Sequence, residues 1–290
     1  SLGVEVENDS TINSFAVGHI TPVSIASGKT LSGGIGVTAG SIKLTDTGTL
    51  ASNVAMSGGT TLDADNTLTV SGTLTHAGDI TIDVAGTRTL TYTGTPISLG
   101  EHTLKLSGGG NLLSGGLEIN NVNSKLLLSS ITVDSVSTSV DNSLGVEVEN
   151  DSTISNFAVG HITPVSIASD KALSGSIGVT AGSLRLTETG SLASTVSMSG
   201  GTTLDADNSL TVSGTLTHAG DITIDVAGTR TLTYTGTPVS LGEHTFKLMG
   251  GGNLLSGGLE INNVNSKLLL SSITVDSVST SVDNSLGVEV

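Results

Sequence analysis

The sequence predicts an all-β chain folded as a right-handed parallel β-helix (a β-solenoid), with roughly seven coils in each 142-residue repeat. Three observations carry this: period-two alternation in short bursts, internal repetition, and a core almost without rings. Between Asn66 and Leu106, apolar residues alternate with Thr, Ser or Asp as Leu68/Val70, Ile80/Ile82/Val84, Leu90/Tyr92 and Leu104/Leu106, and Gly or Pro closes each burst. Such bursts are too short for helices, and Thr-rich alternation suits a pleated surface.

The repeat is long and well preserved. SLGVEV begins at Ser1, Ser143 and Ser285, a period of 142 residues, and about nine-tenths of positions match between the copies. The organisation expected is copy one over 1–142, copy two over 143–284, and the start of a third over 285–290, all one continuous solenoid cut from a longer array. Within each copy a turn-then-strand signature recurs, as GKTL at 28–31, AGSI at 39–42, DNTL at 65–68, TRTL at 87–90, EHTL at 101–104, NSKL at 123–126 and DNSL at 141–144. Its uneven spacing places some signatures on different faces of one coil.

Composition narrows the architecture further. Aromatics make up 2%, Cys and Trp are absent, and 39 residues are Gly. A sandwich of this length carries aromatic anchors. Stacked Leu, Ile and Val fit a narrow tube in which each inward position has like neighbours above and below.

In chain order, Val4 and Val6, with Leu2, open a strand, and Ile12, Phe15 and Val17 are inward candidates. Val23/Ile25, Ile35/Val37, Ile42/Leu44, Leu50 and Val54/Met56 follow, with a turn at Gly58-Gly59. After Leu106 the core continues through Leu112/Leu113, Leu117/Ile119, Leu126-Leu127-Leu128, Ile131/Val133/Val136 and Val140. Leu68, Ile82, Leu90, Leu104, Leu117 and Leu126 are expected to be buried.

A net charge of −16 lacks the basic stripe that releases counterions from phosphates, so no nucleic-acid partner is expected. No apolar run reaches about 18 residues, so no membrane span is expected in this stretch. Ser1 opens in mid-pattern, as expected of a window from a longer chain or a processed product.

The strings TLTVSGTLTHAGDITI and KLSGGGNLLSGGLEI resemble the repeats of filamentous-haemagglutinin-like adhesins and autotransporter passengers. The resemblance implies a secreted or surface-displayed fibrous protein, extracellular or on the cell surface, whose β-helix serves as a stalk. It transfers no catalytic residues.

Several side-chain sets invite chemistry. Asp63/Asp65 in LDADN and their copies Asp205/Asp207 project alike from a strand and are the metal candidates, for calcium. Asp79/Asp83 and Glu5/Glu7/Asp9 are further carboxylate groups. The bland alternative for all of these is a solvated acidic edge. His19, His76, His102 and their copies His161, His218 and His244 lack a GxSxG elbow or any comparable catalytic context. Thr67/Thr69, Thr73/Thr75, Thr87/Thr89/Thr91 and Thr93/Thr95 would offer spaced hydroxyls and methyls if stacked on a flat face.

The function expected is mechanical and not enzymatic: a structural protein of an extracellular fibre or adhesin stalk, without cofactors. Its partners would be the same protein end to end or a longer parent chain, with surface glycans or other cells reached through a tip. The alternatives are an ice- or glycan-binding Thr-rich face and a carbohydrate-active β-helix enzyme.

Overall fold

In the computed structural model, which describes residues 3–290, every regular element among the described residues is a β-strand. No helix in them is long and apolar enough to cross a membrane. Leu2, expected on the opening strand, lies outside the described residues. The chain divides into two compact units, one of Ser1–Ser137 with Glu149–Ser155 and one of Thr138–Val148 with Asn156–Val290.

In the first unit each turn passes over three faces. The first face stacks Val4–Val6, Thr21–Ile25, Ser41–Leu44, Thr60–Ala64, Ile80–Val84, Thr103–Ser107 and Lys125–Ser129, each parallel to the next. These seven strands match the expected coil count. Ser10–Val17 and Thr30–Val37 each run unbroken over the second and third faces. In later turns a bend splits that path, giving Thr49–Leu50 then Asn53–Met56, and Leu68–Val70 then Leu74–His76. Thr89–Tyr92 with Ile97–Ser98 and Asn111–Ser114 with Leu117–Ile119 continue the series. The second unit repeats the plan, with Thr163–Ile167, Ser183–Leu186, Thr203–Ala206, Ile222–Val226, Thr245–Met249 and Lys267–Ser271 on its first face.

Side chains alternate across a strand, so parallel in-register stacking turns every second residue into an inward column. Ile42, Leu62, Ile82, Leu106 and Leu128 form one such column, and all are fully or almost fully buried. Leu68, Leu90, Leu112 and Val133 form another on the second face. Each buried aliphatic side chain contributes about 1.5–3 kcal/mol relative to exposure. The six residues expected in the core are all buried.

Alternation also corrects the reading of consecutive apolar pairs. Leu113 is 43% exposed beside the buried Leu112, and Leu127 is half-buried between Leu126 and Leu128, because a strand cannot turn neighbouring side chains to one face. Ile12, Phe15 and Val140 are likewise only half-buried.

The signatures do sit on different faces. Leu31, Leu68 and Leu90 enter the second face, whereas Ile42, Leu104 and Leu126 belong to the first. Turn length varies with the corners: 20 residues separate Lys43 from its neighbour Asp63, 22 separate Thr67 from Thr89, and 24 separate Asp83 from Ser107. One of the larger differences between copies, Gly28 for Asp170, falls at a corner where φ is +71° and +60° respectively. Asp is among the few residues that adopt this left-handed conformation at modest cost.

Candidate functional site

The calcium candidates lie on an outward column of the first face. Asp63 projects from Thr60–Ala64, and Asp65 follows at the corner. One turn earlier, Lys43 sits opposite Asp63, and its Nζ lies 3.4 Å from Asp63 Oδ2 and 2.8 Å from Asp65 Oδ2. In the second copy Arg185 takes that place, with Nε 3.7 Å from Asp205 Oδ2 and 2.6 Å from Asp207 Oδ2. The structure therefore brings each predicted carboxylate pair together around an internal cation. Sequence reading missed the cation because its partner lies a whole turn away. The signal was a basic residue 20 positions before Asp63, legible only once the turn length is known.

The column continues into the next turn, where Asp83 stands opposite Asp63 and Asp225 opposite Asp205. Like charges facing one another across a parallel pair repel. In the first copy Ser107 Oγ donates to Asp83 Oδ2 at 2.6 Å. Met249 holds the equivalent place opposite Asp225 and has no hydroxyl to offer.

These surroundings set the acidity of the column. Partial burial, followed by the negative charge of Asp65, holds the Asp63 carboxyl above its ordinary value, with Lys43 opposing and Asp83 adding to the rise. Asp205 is pushed up to about 6, first by partial burial and then by Asp207, with Arg185 opposing. Its native form binds a proton more readily than the unfolded chain does. The contribution to stability is therefore full below the ordinary carboxylate value and is lost as pH rises through about 6. Thermal unfolding at pH 5 and pH 7 should show the wild type gaining more on acidification than Asp205→Asn. The difference expected is at most about 1 kcal/mol, since the side chain is partly solvated. Equal gains in the two proteins would refute the reading.

The other candidates are engaged separately. Asp79 Oδ1 accepts from the Thr103 amide at 2.7 Å, and Asp9 Oδ1 accepts from the Thr30 amide at 2.9 Å. Glu5 and Glu7 are exposed. His76 has Nδ1 at 3.0 Å from the Gly78 carbonyl and Nε2 at 3.0 Å from the Ser98 carbonyl, and its ring meets His102 edge-on at 5.6 Å. His161 Nδ1 lies 3.3 Å from Asp141. Among the described residues no three His, Asp or Glu side chains converge as metal ligands would.

Of the predicted threonines, Thr69 and Thr91 stack in one outward column of the second face, which also takes in Thr30 and Thr49 and ends at Leu113. The second copy replaces this with Ala172, Ser191, Thr211 and Thr233, ending at Leu255.

Among known proteins, no family model, no curated protein and no solved structure matches this chain. What the structure bears out of the expected resemblance is the β-solenoid fold alone.

Proposed function

We propose that this chain is a mechanical element, a segment of an extracellular or cell-surface fibre or adhesin stalk that extends and stiffens by stacking turns. The observation that supports this most directly is how the repeat restarts. Val4–Val6 pairs with Val23–Ile25, and Val146–Val148 pairs with Val165–Ile167 in the same register. The third SLGVEV, at its strand Gly287–Glu289, lies in parallel on Lys267–Leu269, and Lys267 Nζ meets Glu289 Oε2 at 2.6 Å. The opening strand of a repeat is thus shaped to lie on the last turn of the repeat before it, which suits an array continued by a longer parent chain or by further copies end to end.

Chains built with two, three and four copies test the proposal. Electron microscopy should show rods that lengthen by roughly 34 Å per copy, seven turns at the strand spacing of a sheet. Beads that articulate at each 142-residue boundary would refute it. The rival reading, a Thr-rich face for ice or glycan, finds less support: the column loses hydroxyl or methyl groups at Ala172 and Ser191 and ends at Leu113 and Leu255.

A further inference from the structure

We propose that each copy carries one built-in opening point, a seam on the third face where the coil yields locally before the rest of the ladder. The seam lies between Leu74–His76 and Ile97–Ser98 in the first copy, and between Leu216–His218 and Val239–Ser240 in the second. Leu74–His76 ladders with Val54–Met56, and Ile97–Ser98 with Leu117–Glu118. No ladder joins the two sides. In the second copy Val239–Ser240, Leu259–Ile261 and Val278–Thr280 accordingly form a separate three-stranded sheet.

The sequence explains the break. The corner leading to the seam, Thr93-Gly94-Thr95-Pro96 and its copy at 235–238, is one residue longer than Ser71-Gly72-Thr73 in the turn before and ends in Pro. Pro96 and Pro238 have no N–H to give a neighbouring strand. Backbone groups left open at such a break must find partners elsewhere, and two side chains supply them. Tyr92 Oη accepts from the Leu74 amide at 3.1 Å, and Tyr234 Oη from the Leu216 amide at 3.2 Å. With the proton on Nε2, His76 donates to the Ser98 carbonyl at 3.0 Å, and His218 to the Ser240 carbonyl at 2.9 Å.

The same place also holds a void. A cavity of about 10 Å³ touches both sides of the seam through Leu74, Tyr92 and Ile97, and its copy does so through Leu216, Tyr234 and Val239. Apolar lining leaves it too poor in polar partners to hold a water. On the first face of the same turns the ladder is unbroken from Ile80–Asp83 to Leu104–Ser107. Local opening draws on regions with few backbone bonds and loose packing, so the third face parts while the first face holds the turns together.

Amide hydrogen exchange on the full chain tests this. The Leu74 and Leu216 amides should exchange faster than first-face amides within 80–84 and 222–226. Tyr92→Phe removes the acceptor and should speed Leu74 exchange about tenfold, leaving Leu216 and the first face unchanged. His76→Leu should do the same for amides 97–99. Equal protection on the three faces would overturn the proposal, as would a variant that accelerates all faces alike.

Discussion

Ile82→Asp is expected to unfold the first unit's coil around it and to lower the unfolding free energy by several kcal/mol. Ile82 is 1% exposed, stacked between Leu62 and Leu106 in a column of aliphatic side chains. A carboxylate there has no cation or donor among its column neighbours. The chain must either ionise it without a partner or take up a proton and still lose the packing of a large side chain. Denaturant unfolding followed by circular dichroism reads the loss. Ile224→Asp should act likewise on the second unit, since Ile224 stands between Leu204 and Leu248. An unchanged midpoint would place the core elsewhere.

Gly72→Ala should rank next, costing about 3 kcal/mol. The reason is contact and not backbone conformation. A Cβ at Gly72 would stand 1.9 Å from the Ser52 carbonyl oxygen, and one at Gly214 would stand 1.8 Å from that of Ser194. The obstructing atoms are backbone of the adjacent turn, so no rotamer change relieves the overlap. Gly28→Asp supplies the contrast: nothing lies within 4 Å of a Cβ there, and the second copy already carries Asp170 at that corner. Differential scanning calorimetry should find a large fall in melting temperature for Gly72→Ala and a small change for Gly28→Asp. Similar changes in the two would contradict the close approach of successive turns at Gly72.

How far the sequence could be read follows from which physical signals are local. Alternation at Ile80/Ile82/Val84 is complete within five residues, so the strand and its buried face were legible before any partner was known. The pairing of Lys43 with Asp63 and Asp65 was not, because it spans a turn and turn lengths differ from corner to corner. The seam was hidden for a related reason. Pro96 is visible in the sequence, but its effect depends on which strand it fails to reach, and the closure by Tyr92 and His76 is visible only after the turns are stacked. Leu113 and Leu127 misled in the other direction, since a run of apolar residues hides which members face inward.

Turns of 20, 24 and 22 residues, from Lys43 to Asp63, Asp83 to Ser107 and Thr103 to Lys125, share one first-face ladder. Strand spacing, about 4.8 Å in a sheet, fixes the axial pitch regardless of how many residues a turn contains. Contour length and axial rise are therefore decoupled. Residues inserted at a corner widen the cross-section, while only a whole added turn lengthens the object. Corners are thus where such a chain can acquire new surface without altering its span.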